Sequence, residues 1–379
     1  MVAQHQMKQR KVSMQPLEDR NMFAGNVVAN LVGPDLAIGG DAADNQVEIT
    51  EITSNSIQVT GLAGTTINGL PAQVFTAPLI ENIFVRTGAG HDEVIVKNVT
   101  LSDTAFGNLK VFTSVGDDHV HLDRVFTTQS IGLDTGDNND RVEAVMAGTR
   151  GTWYANSGNG HDSVQLHRVS ALDMKVEMQD GNDDLNIFGA RVGNDLKVNT
   201  HSENDTVGLD GIFAGNNVLI RTEQGSDQVK LHRIRANNDV GLETGTESDI
   251  AHFHQVAARH DLFANMGTGD DELVMDTVKS MNHIDVLTED GNDRVNISQA
   301  KSNNVHVDTG DDHDYVKMDN VNAVNDLHVL LDSGKDTLEI SNSSAANPFF
   351  DGGNDDDVLY DLPNGFALLA SSINFETII

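Results

Sequence analysis

Two sets of residues in this chain have the types and spacing to do chemistry. The first is a column of aspartates with a pitch close to twenty-two residues: Asp92, Asp118, Asp140, Asp162, Asp183, Asp205, Asp227, Asp249, Asp271, Asp293, Asp314, Asp336 and Asp356. Several have a second carboxylate beside them, as at Asp117, Asp184, Asp270, in the pair Asp311 and Asp312, and in the run Asp355, Asp356, Asp357. Carboxylates repeated in turns with free backbone carbonyls are the ligand set of a hard cation, so calcium is the expected counter-ion. The positions selected on this ground are Asp92, Asp117, Asp118, Asp162, Asp183, Asp184, Asp270, Asp271, Asp293, Asp311, Asp312 and Asp356. The other chemistry open to them is Asx-type capping, in which each carboxylate accepts N–H groups of its own turn and faces water.

The second set lies five residues past the anchors. Consecutive repeats there read Asp210, His232, His254 and Asp276, with Arg233 next to His232. Imidazoles flanked by carboxylates can hold a transition metal or act as acid and base, which makes these five the catalytic candidates. The plainer reading is a solvated ladder whose mixture of Asp, His, Lys and Ser avoids stacking like charges.

Both sets need a scaffold that brings every twenty-second residue together. Each anchor closes a turn such as TGAGHD (87–92), SGNGHD (157–162), DGND (180–183 and 290–293) or TGDD (268–271), and strand signal follows. Apolar residues stand two past the anchor (Val94, Val164, Val229, Leu273, Val358), four past it (Val96, Leu166, Leu231) and seven past it (Val99, Val169, Ile234). The first two positions alternate with polar residues at period two, and the change of parity before the third marks a bend. A second alternating run closes each repeat, as in DLKVNT (195–200) and DVGLETG (239–245). Two or three short strands cannot bury their own apolar face, so neighbouring repeats must stack. The expected fold is all-β: a right-handed, single-stranded parallel β-helix of about 22 residues per coil, with coils about 4.8 Å apart.

The repeat divides the chain into residues 1–24, a basic tail or leader; 25–86, irregular coils and an N-terminal cap; 87–360, the regular coils; and 361–379, an apolar C-terminal cap. A solenoid core grows along its axis, so 379 residues make one elongated domain. The formal charge of −34 argues against nucleic acid and anionic membranes as partners and favours cations. With no cysteine, there are no disulfides or thiolate metal sites. No stretch reaches transmembrane length, nothing calls for an organic cofactor, and the oligomeric state is left open.

Two resemblances add to this. LEDRNMFAG (17–25) resembles the LEPR-x-LL segment of planctomycete surface and secreted proteins through Leu17, Glu18 and Arg20, with Asp19 in place of the proline. The turns resemble half of the GGxGxDxUx calcium nonapeptide of RTX toxins and adhesins, best at Gly88, Gly90 and Asp92, at Gly158, Gly160 and Asp162, and at Gly267, Gly269 and Asp271. That family has two such turns per coil of eighteen residues; this chain has one per twenty-two, and SEND (202–205) has no glycine. The resemblances imply a secreted or surface location and turn carboxylates that hold calcium.

The reading that follows is an extracellular or cell-surface structural or adhesive β-solenoid, stabilised by calcium, with an extracellular glycan or surface component as partner. The alternative is a polysaccharide lyase or glycoside hydrolase of the β-helix class. Against it, coil length barely varies, and Trp153 with Tyr154 is the only adjacent large aromatic pair besides Phe349 with Phe350. An ice-binding solenoid would need flat outward threonine ladders, whereas the outward columns are charged and irregular.

Overall fold

The computed structural model describes residues 25–101, 106–361 and 372–379; Leu17, Glu18 and Arg20 lie outside them. Among the described residues there is no helix, and strands stack as a parallel β-solenoid of about thirteen turns. One coil illustrates the rest. After the anchor Asp227 come strand Gln228–His232, the two-residue strand Arg235–Ala236 and strand Val240–Glu243, before the next anchor Asp249. Each strand pairs in register with its equivalents in both neighbours: Val229 sits between Val207 and Ala251, and Leu231 between Leu209 and Phe253.

The apolar positions at two, four and seven past the anchor are buried along the rod, among them Val94, Val96, Val99, Val229, Leu231 and Ile234. The bend between the last two has a specific cause. The residue six past the anchor adopts positive φ, as at Asn98 (52°), Arg233 (55°) and Gln255 (57°), and Gly189 and Gly211 do the same. One left-handed residue flips the alternation and turns the chain into its next strand, so positions of opposite parity both face inward. Each buried Val, Leu or Ile contributes about 1.5–3 kcal/mol.

The turns are equally constrained. Gly158 and Gly160 have φ of 92° and 150°, and a Cβ on either would collide with a carbonyl oxygen of the preceding coil, that of Gly136 or Asn138. In the turn that lacks glycine, His201 and Glu203 take the left-handed conformation themselves, at 71° and 76°.

The start of the rod departs from the repeat. Strands Asn26–Val32 and Asp35–Gly39 form an antiparallel hairpin, as do Gln46–Thr53 and Ser56–Gly61. Asn45, not the aspartate before it, takes the anchor position of the first coil, because Val47 and Ile49 are the buried residues there. At the far end the same kind of shift occurs: the anchor is Asp357, not Asp356, which places Leu359 rather than Val358 in the core. The described part of the C-terminal segment adds strands Ser372–Ile373 and Thr377–Ile378 to the open edges of the last coil.

Candidate functional site

Every anchor aspartate is buried, which overturns the expectation of carboxylates that cap their own turn and face water. Their side chains run as one file through the turn side of the coil. The backbone N–H of each anchor donates to Oδ1 of the next coil's anchor: Asp92 to Asp118 at 2.7 Å, Asp249 to Asp271 at 2.7 Å, Asp293 to Asp314 at 2.9 Å. The residue after each anchor returns a bond, as from Arg141 N–H to the Asp118 carbonyl at 2.8 Å. Each turn is thus fastened to the next by two hydrogen bonds. Asn45 opens the file by donating its N–H to Asp92 Oδ1 at 2.7 Å, and Glu376 closes it by accepting that of Asp357 at 2.7 Å.

The second carboxylate oxygen is treated differently. Oδ2 of all thirteen aspartates, from Asp92 to Asp357, is buried without a hydrogen-bond partner. A Thr or Ser five residues before most anchors faces the same carboxyl; most of these hydroxyls donate to the next coil's backbone, as Thr135 to the Ser157 carbonyl at 2.9 Å and Thr244 to that of Met266 at 2.6 Å, whereas those of Thr87, Thr200 and Thr309 have no such acceptor. Burial therefore dominates the acidity. It pushes Asp183 up to about 9, Asp140, Asp271 and Asp314 to about 8, and Asp118, Asp162, Asp227 and Asp293 to about 6. At Asp183 and Asp271 the hydroxyl position is held by Met178 and Met266.

Of the residues selected from the sequence, Asp92, Asp118, Asp162, Asp183, Asp271 and Asp293 belong to this buried file. Asp117, Asp270, Asp311, Asp312 and Asp356 are exposed and Asp184 is half-buried, so the doubled carboxylates do not converge on one point. Neighbours in an extended chain point to opposite sides. The residue just before the anchor builds its own outer ladder instead, which the sequence reading missed. Asp117 N–H donates to His91 Nδ1, Asn139 N–H to Asp117 Oδ1, His161 N–H to Asn139 Oδ1 and Asn292 N–H to Asp270 Oδ1, at 2.8–3.2 Å. The signal was a column of Asp, His, Asn and Ser, all of which carry acceptors, interrupted by Lys335.

The five catalytic candidates are brought together as consecutive neighbours on one outward face. They form two imidazole–carboxylate pairs set back to back, the first joined by Arg233. Asp210 meets His232 at 3.2 Å and Arg233 at 2.6 Å; His254 meets Asp276 at 2.7 Å; the two imidazoles lie 5.2 Å apart. Hydrogen bonds from Arg233 hold the Asp210 carboxyl below its usual range. Both imidazoles are nearly half exposed, and the hollow alongside is an open groove lined by Arg191, Phe213, Arg233 and Arg235. Nothing there encloses a substrate or excludes water. The Trp153 and Tyr154 pair makes no aromatic platform for a glycan either, because Trp153 is fully buried and only Tyr154 faces out, where its hydroxyl donates to Glu177 at 3.0 Å.

No protein-family model matches the sequence, and no curated protein does. A solved structure that matches is the X-ray crystal structure of a hyperactive, Ca2+-dependent, β-helical antifreeze protein from an Antarctic bacterium. It is 18% identical with a TM-score of 0.48, and the match covers 75% of this chain and 86% of that one.

Proposed function

We propose that this chain is an extracellular or cell-surface structural rod of adhesive type whose turns are neutralised by calcium. The observation that carries the reading is the file of orphaned Oδ2 atoms. Ionised, adjacent anchors at the strand spacing of about 4.8 Å repel by roughly 3.5 kcal/mol per pair at an effective dielectric near 20. Protonated, an anchor beside a Thr or Ser can give its O–H to that hydroxyl oxygen, but at Asp183 and Asp271, where Met178 and Met266 stand instead, the O–H would be buried without a good acceptor, a cost of about 1–3 kcal/mol. A hard cation answers both problems, because it supplies positive charge and takes oxygen ligands without needing a hydrogen bond. The residues that would hold it are consecutive anchors such as Asp249 and Asp271, through Oδ2, with turn carbonyls completing the set. A rod that depends on calcium suits the extracellular setting in which weak calcium modules work.

Removing calcium is the test. A chelator should lower the melting temperature, and calcium should restore it where sodium chloride at equal ionic strength does not, since an ion bound only by the folded state stabilises it. Asp271→Asn keeps the oxygen that accepts Asp249 N–H but loses a ligand charge, so its melting point in calcium should fall. A melt indifferent to the chelator, with Asp271→Asn at least as stable as the parent, would leave the file as turn architecture alone.

A further inference from the structure

A second and chemically distinct group stands on the outward face near the start of the regular coils. Strand His119–Thr127 lies between Glu93–Leu101 and Arg141–Val145, with His119 opposite Glu93 and Arg141, and His121 opposite Glu143. Val120 and Leu122 point into the core, so His119 and His121 share the outer face one pleat apart. Glu143 Oε2 reaches both rings, at 3.1 Å from His121 Nδ1 and 3.7 Å from His119 Nε2, and the three donor atoms lie within 4.8 Å of one another.

From this geometry we propose that His119, His121 and Glu143 bind a transition-metal dication of the zinc class through Nε2, Nδ1 and Oε2. Metal–nitrogen and metal–oxygen bonds of about 2.0–2.1 Å in a tetrahedral set separate neighbouring ligand atoms by about 3.3 Å. The observed 3.1 and 3.7 Å bracket that value. His119 Nε2 is buried and has no hydrogen-bond partner, which leaves its lone pair to a ligand. The surrounding groups orient the donors. Glu93 Oε1 lies 3.5 Å from His119 Nδ1, on the far side of the ring, where a proton on Nδ1 turns Nε2 toward the metal. Arg141 occupies the other oxygen of Glu143, with Nε 2.7 Å from Oε1, so Oε2 is the oxygen turned to the two rings, where it shares a hydrogen bond with His121 Nδ1 that a metal would replace.

Two imidazoles and one carboxylate suit zinc, copper or nickel, whereas calcium takes six to eight oxygens. The group is therefore separate from the aspartate file. All its members sit on hydrogen-bonded strands, and each side chain is partly exposed. The His232 and His254 pair lacks this convergence, because each ring faces a different carboxylate.

The test is a calorimetric titration of the full chain with zinc chloride in buffer containing excess calcium, repeated with cobalt for its visible absorption. The parent should bind zinc and give a tetrahedral cobalt spectrum. H119Q with H121Q should lose that event, while H232A with H254A, and H260A at the other compact His–carboxylate group among the described residues, should keep it. E93Q retains all three donors but loosens His119, so its dissociation constant should rise about 10–100-fold. If the double variant does not melt cooperatively, E143Q serves in its place and must lose the same event. A parent that takes up no zinc, or an H119Q–H121Q or E143Q titration that overlays the parent's, overturns the assignment.

Discussion

The molecule carries two columns of carboxylates built by the same stacking and opposite in character. In the inner file, every Oδ1 is tied to a backbone N–H of the preceding coil and every Oδ2 is left without a partner. In the outer column, Asp210 and Asp276 face His232, Arg233 and His254 at the edge of solvent. Burial raises the pKa values of the inner set, whereas Arg233 lowers that of Asp210. Residue type and spacing are the same in both. The difference lies in which side of the strand the side chain leaves, and hence in whether water can share the charge.

The largest expected effect comes from putting a carboxylate inside without the backbone donor that the anchors enjoy. Val229 sits in the core between Val207 and Ala251, neither of which has a side-chain donor to offer. Val229→Asp should cost several kcal/mol, while Gln228→Asp, on the exposed side of the same strand, should be nearly silent. Matching thermal melts for the two variants would show that burial is not what separates the columns.

A smaller and more specific effect concerns pH. The buried anchors from Asp118 to Asp336 have folded values raised to between about 6 and about 9, against 3.8 for a free aspartate, and Asp92 and Asp357 are raised as well. The folded state then holds protons that the unfolded chain releases above about pH 4. Stability of the calcium-free protein should be fully present below that point and should fall as pH climbs through about 6 to about 9. With calcium in place of the protons, the decline should be much reduced. Urea midpoints at pH 5 and pH 8.5, with and without calcium, measure this; equal midpoints in calcium-free buffer would contradict a buried, proton-linked file.

The smallest effect is expected outside. His232→Ala with His254→Ala removes two exposed ion pairs, each worth about 0–1 kcal/mol. The melting temperature should move by no more than a degree or two, and no glycan-cleaving activity should be gained or lost. Loss of an activity in that double variant would give the outer column the role that its open geometry denies it.

Much of this was legible before the fold was known. The pitch required stacking, and the apolar residues two, four and seven past the anchor named the core, including Phe253 and Ile234. Alternation also carried an unread signal: an anchor two residues before Val229 has Val229's parity, so Asp227 had to face inward. Its chemistry as a polar, charged residue masked that. The shifts at Asn45 and Asp357 were hidden because each has an aspartate immediately before it, and only the packing of Val47 and Leu359 decides between neighbours. The group at His119, His121 and Glu143 could not be found by following one column, since it joins two positions of one coil to one of the next.

By itself, then, the sequence determined the repeat, the strand positions and the inward set, because these follow from period-two alternation and the need to bury an apolar face. Only the tertiary structure decided which oxygen of each aspartate is bonded, which imidazole nitrogen is free and which side chains meet across strands. Those depend on rotamers and on the register between coils about 4.8 Å apart, and a spacing along the chain does not contain them.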